Sequence, residues 1–249
     1  MRELIFLFVM SFSVNAAEDL SNQIRIVEVA GAVKEVKVIR AVGKKEAPLR
    51  SGEILFVGDE VQVAPRQVVV LQAYDGSQWK LAPETQFRIE SRKPDPKTFA
   101  YWTFQLTKGS MWGAVKKDKN EKDGFRLKVR TKTASMGIRG TEYFMMGDEK
   151  RSVLDVLEGS VWWGKDPAFA PGSYQEISAG HRAEIGADGR ISVTENKKNK
   201  AQLVKDYGLD LGVEGNSAMR GSAQQCISLG KGWKSIDGSN LGECVEKSE

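Results

Sequence analysis

The feature that most limits how this chain can fold is a succession of short runs with a period of two, spread from Ile24 to Val193. In "FRLKVRT", Phe125, Leu127 and Val129 fall on one side and Arg126, Lys128 and Arg130 on the other, as in a half-buried strand. "FRIE" at Phe87 to Glu90 alternates in the same way, while "VVVL" at Val68 to Leu71 is apolar on both sides, as a strand covered by two layers would be. Asp75-Gly76 stands between two such runs and predicts a tight hairpin whose two central residues have positive φ. No helical period of comparable length competes. The expectation is an all-β fold: a single domain of short strands over residues 24–194, solenoid-like or a sandwich. Residues 195–249, richer in polar residues and glycine, are expected to form a partly helical, loop-rich tail.

Within the domain one segment echoes another. "KGSMWGAV" from Lys108 and "EGSVWWGK" from Glu158 share Gly-Ser, an aliphatic residue and Trp, fifty positions apart. A repeat of this period suggests two related turns of a solenoid or two matched hairpins of a sandwich. A hydrophobic fraction of 41% is enough for a substantial core. The net charge of +4 comes from 37 basic and 33 acidic residues well mixed along the chain. That lacks the clustered basic excess of a nucleic-acid binder, and no nucleic-acid partner is expected.

The N-terminus, "MRELIFLFVMSFSVNAAED", has an early arginine, an apolar run from Leu4 to Met10 and small residues at Val14 and Ala16. This is the layout of a signal peptide over residues 1–16, cleaved after Ala16, with 17–23 as a linker. A periplasmic or secreted location is therefore expected, with no membrane span after cleavage because no later run reaches the ~20 apolar residues a span needs. In an oxidising compartment Cys226 and Cys244, eighteen positions apart, are expected to pair as a disulfide that staples the tail.

The order of short motifs resembles the FecR domain. The family's GD pair falls on Gly58-Asp59, its DGS turn on Asp75-Gly76-Ser77 and its leucine-and-proline strand on Leu81 and Pro83. Its G-x-V/M-W segment falls on Gly109 to Trp112, its R-G-T stretch within Thr133 to Phe144, and its V-L-E-G on Val156 to Gly159. The resemblance implies a non-catalytic exported module that binds a protein or another envelope component. The family's best-known members regulate iron uptake through a cytoplasmic sigma-factor-binding segment and one membrane span ahead of the domain. Here a signal-peptide-like stretch leads straight into the domain, so that role is not carried over. In the R-G-T stretch, Gly140 is read as a backbone bend and Thr141 as the return to a buried strand, with Arg139 pinning the bend or facing a partner. Gly58, Asp59, Asp75 and Gly76 are read as structural motif positions.

Two patterns point to binding. Arg126, Lys128, Arg130 and Lys132 share one strand face and would suit an anionic envelope component, unless cross-strand acids neutralise them. Trp102, Trp112, Trp162 and Trp163 would suit a cell-wall carbohydrate if exposed; Trp163, facing away from Trp162, is the expected exposed ring. Enzymatic chemistry finds little support. His181 is the only histidine, lies in a turn-like "SAGHRAEI", and has no nucleophile motif beside it. No zinc or calcium spacing is present, and no metal or cofactor is expected.

Overall fold

The structure, a computed structural model, describes residues 24–31, 35–91, 102–117, 125 and 127–210, together with the backbone of 232–235 and 242–245. The signal-peptide and linker expectations, Arg126 and Cys226 lie outside the described residues, and of Cys244 only the strand backbone is described.

The chain forms β1 (Ile24–Gly31), β2 (Glu35–Ile39), β3 (Glu46–Arg50), β4 (Ile54–Leu55), β5 (Glu60–Gln62), β6 (Gln67–Ala73), β7 (Gln78–Leu81), β8 (Gln86–Ser91) and β9 (Trp102–Ala114). There follow β10 (Leu127–Arg130), β11 (Ser135–Ile138), β12 (Glu142–Gly147), β13 (Arg151–Glu158), β14 (Ser160–Gly164), β15 (Tyr174–Ser178), β16 (His181–Gly186) and β17 (Ile191–Glu195). A helix, α1 (Lys200–Asp206), and a separate antiparallel pair, β18 (Gly232–Ser235) and β19 (Gly242–Val245), complete the described elements.

Backbone hydrogen bonds join the first 17 strands into one network that doubles over into two layers. The first runs β4-β1-β6-β7-β9-β12-β13-β16-β17. The second runs β3-β2-β5-β8-β9-β10-β11-β14-β15. Among the described ladders only β9–β10 is parallel. From β10 onward the chain places two strands in one layer and the next two in the other, so the solenoid-like order and the sandwich packing are both present.

β9 belongs to both layers. Its first half pairs with β8 and β10, and its second half, from Gly109, with β12 and β7. The switch occurs at Gly109, whose φ is +105° and whose missing Cβ would lie 2.6 Å from Thr85 Cα. A side chain there would be strained and would strike backbone. Positive φ marks the other changes of layer too, at Gly31, Gly52, Gly58, Arg66, Glu84, Gly140, Gly159 and Gly180. The repeated Gly-Ser is thus explained: Gly109 and Gly159 each stand where the chain leaves one layer for the other.

The two inner faces share one core. Ile24, Leu71, Trp79, Tyr143 and Leu154 of the first layer pack with Val38, Phe87, Phe104, Val129 and Trp163 of the second. Trp79 and Phe87 each meet Phe104 edge-on at 4.9 Å between ring centroids. Burying one such ring contributes roughly 1.5–3 kcal/mol. "VVVL" behaves as expected: Val69 and Leu71 face this core, and Val68 and Val70 are buried on the opposite face with Ala30.

The helix expected in the tail is α1, which docks on the outer face of the first layer, where Leu203, Tyr207 and Leu209 cover Ala82, Trp112 and Phe144. A seven-residue helix is too short to persist alone. An Asn199–Gln202 capping box closes its start, and the apolar contact holds it. The Asp75 hairpin is looser than expected. Strands β6 and β7 are joined by four residues, of which only Gly76 has positive φ. The Asp75 carboxylate supplies the rest of the turn by accepting from Ser77 N at 2.8 Å and Ser77 Oγ at 3.0 Å.

Candidate interaction surface

Most motif residues are consumed by the scaffold. Asp59 is buried, and its carboxylate accepts from Arg40 Nη1 at 2.6 Å and from the backbone N–H of Ala41 and Phe56, both at 3.0 Å. It ties the β2–β3 loop to the β4–β5 turn, where Gly58 leaves no room for a Cβ beside that of Ala41. Gly140 has φ +99°, and a Cβ would lie 2.6 Å from Lys117 Cβ. Thr141 is buried; its hydroxyl donates to Ser160 O at 2.8 Å and its carbonyl accepts from Val115 N at 3.0 Å. A Cβ on Gly159 would lie 2.7 Å from Gly140 O, so the R-G-T and V-L-E-G motifs meet backbone to backbone. Arg139 is half-buried.

Among the described residues the expected basic face does not form. Lys128 is only 5% exposed; it sits in one cross-strand row with Gly137 and Trp162, and the ring of Phe125 lies over Gly137. Phe125 precedes β10 and turns to the outer face, away from Leu127 and Val129. Arg130 pairs with Glu90 at 3.1 Å and Lys132 with Glu149. The described cations left on that face are thus paired with acids.

The tryptophan assignment is reversed. Trp163 is 0% exposed, in the core between the layers, because β14 turns its even-numbered Trp162 outward. Trp102 is also in the core, and Trp112 lies beneath α1. Trp162 instead joins Phe125, Phe169 and Tyr174 in an aromatic cluster on the outer face of the second layer. It stacks on Tyr174 at 4.3 Å with planes 14° apart and meets Phe125 edge-on at 4.6 Å. Phe125 and Phe169 are buried, whereas Trp162 and Tyr174 are half-buried. This cluster beside edge strand β15 is the aromatic surface the second layer offers.

One polar centre escaped the sequence reading. Asp155, buried mid-strand in β13, accepts from Arg182 Nε at 2.9 Å, Arg182 Nη2 at 2.7 Å and Tyr207 Oη at 2.7 Å, and also from Asn196 Nδ2. The bond to Asp155 holds the Arg182 guanidinium above its usual range, and burial followed by the nearby Asp155 charge pushes the Tyr207 phenol well up. The carboxylate therefore fastens α1 to the sheet. The available signal was an aspartate inside the apolar run "SVLDVLE". His181 is structural as read: its Nδ1 donates to the carbonyls of Ser178 at 3.3 Å and Ala179 at 3.2 Å in the β15–β16 turn. Among the described residues no group of three His, Cys, Asp or Glu converges as metal ligands, and no helix is long and apolar enough to cross a membrane.

Comparison with known proteins places these motifs. No curated protein matches the chain. Two crystal structures of a candidate anti-sigma factor from Parabacteroides distasonis are similar to it at 12% and 13% identity, over 76% of this chain and 99% of theirs, with TM-scores of 0.47 and 0.44. The FecR protein family matches residues 59–162, a span that opens on the buried Asp59 clamp, includes the Gly109 switch and the Gly140 bend, and closes at Trp162. Residues 59–162 are thus similar to the FecR domain.

Proposed function

We propose that this chain is an exported, non-catalytic protein-binding module that serves signalling in the bacterial envelope. The family match over residues 59–162 carries the reading. It is supported by the way Asp59, Asp75 and Asp155, the acids most suggestive of chemistry, are committed to backbone and side-chain donors. The N-terminal apolar run and Ala16 support export to the periplasm or beyond. The partner is a protein that covers the Trp162–Tyr174 face, since half-exposed aromatic clusters are common anchors of protein interfaces.

The test is capture from envelope fractions with the full chain as bait, comparing the parent with Trp162→Ala/Tyr174→Ala. A protein retained by the parent and lost by the variant is the expected result. Retention on peptidoglycan that depends on the same two rings would replace this reading with carbohydrate binding, and a turnover product formed by the chain would overturn both.

A further inference from the structure

Large hydrophobic side chains that remain exposed are few among the described residues: Val42 at 90%, Phe56 at 54%, Val57 at 44% and Tyr74 at 55%. All four lie at one end of the sandwich. Ile24 is paired with Leu55 on one side and Ala73 on the other, so Phe56 and Tyr74 each stand one residue beyond that row. The β2–β3 loop bearing Val42 is tied to the same place by Ala41 N on Asp59 and by Arg40, which lies 5.8 Å over the Phe56 ring. Exposed single residues need no explanation, but a shared rim does.

The rim is also cationic. Lys44 and Lys45 follow Val42 in its loop, and Lys116 and Lys117 flank the Tyr74 turn, where Lys116 N donates to Ser77 Oγ at 3.0 Å. These four lysines are exposed and form no ion pair among the described residues. Among the described residues, the acids nearby are already engaged: Asp59 by Arg40, Asp75 by Ser77 and Glu46 by Lys37.

Protruding apolar side chains ringed by exposed lysines match the interface of an anionic bilayer, where the rings and aliphatics enter the headgroup boundary and the ammonium groups meet phosphates. We infer that this rim is a docking surface for an anionic lipid membrane, which would set the Trp162–Tyr174 face, on the outer side of the second layer, free for a protein partner.

The experiment adds the full chain to phosphatidylcholine vesicles with and without phosphatidylglycerol and reads both co-sedimentation and amide exchange. Expected are binding that needs the anionic lipid and falls with salt, and slowed exchange in residues 40–45 and 56–57. Val42→Asp/Phe56→Asp should weaken binding about tenfold or more, and Lys44→Glu/Lys45→Glu by a similar factor, since each lysine near an anionic surface is worth about fivefold. Arg190→Glu, remote from the rim, should change nothing. If the apolar double variant fails to fold, the lysine pair alone decides. Equal binding by the variants, equal binding to uncharged vesicles, or vesicle binding with the two loops unprotected would overturn the inference. So would loop protection that appears without lipid as protein concentration rises, which would assign the rim to a second copy of the chain.

Discussion

Replacing Asp155 with alanine should release α1 from the sheet. The substitution strands the Tyr207 hydroxyl, which is buried under the helix, and removes both bonds to the Arg182 guanidinium. A buried hydroxyl left unsatisfied costs about 1–3 kcal/mol. Arg182 is a third exposed and rehydrates, so its lost pairing adds only about 1 kcal/mol rather than the larger figure of a fully buried pair. The total is about 2–4 kcal/mol, or a fall in Tm of about 4–16 °C at the 2–4 °C per kcal/mol typical of a domain this size. The assay is thermal melting combined with amide exchange over residues 200–207, where protection should fall before the strands lose theirs. Arg190→Ala, which breaks only an exposed pair with Asp188, is the control and should stay within about 0.5 kcal/mol. A Tm loss no greater than the control's, or a loss with helix exchange unchanged, would refute the argument that Asp155 is the fastener.

Gly140→Val should destabilise the domain more than Arg139→Ala, because it combines a φ of +99° with a clash at 2.6 Å against Lys117; melts that rank the arginine change as worse would sink this reading. Tyr143 and Tyr207 both have raised phenol pKa values, the first chiefly through burial. Their contribution is therefore fully present below the unfolded value of about 10 and is lost as pH rises beyond it. Tyr207→Phe should flatten the fall in Tm above that pH without abolishing it, and an unchanged alkaline limb would contradict the assignment. Non-reducing mass mapping should find Cys226 linked to Cys244, and free thiols at both positions would remove the staple from the tail.

Strand identity was legible from the period of two because it depends on local alternation, as in Phe87 and Ile89 buried against Arg88 and Glu90 outward. Which face turns inward was not. Trp162 and Trp163 must point opposite ways, but only the position of β14 between β11 and β15 decides that Trp163 enters the core. Lys128 reads as a solvated cation because its row neighbour Gly137 has no side chain of its own; the ring that fills the space comes from Phe125, a residue the same alternation assigns to the other face. The docking of α1 was equally hidden. Leu203 and Tyr207 supply too little apolar surface to fix a helix unless Trp112 and Phe144 wait opposite, and that pairing spans about half the domain.

The passage of β9 through both layers bears on how the domain assembles. Among the described strands, none of β1 to β8 shares a backbone ladder with any of β10 to β17, the Glu90–Arg130 ion pair being a side-chain contact; every ladder linking the two halves runs along β9. The amino-terminal half can therefore complete its pairing as soon as Ala114 is available, whereas β10 and β12 must wait for that same strand as their template. Damage at β9 would be felt by both halves at once and appear as a single cooperative loss. Damage at the outermost β15 or β17 would fray one edge and leave the remainder in register.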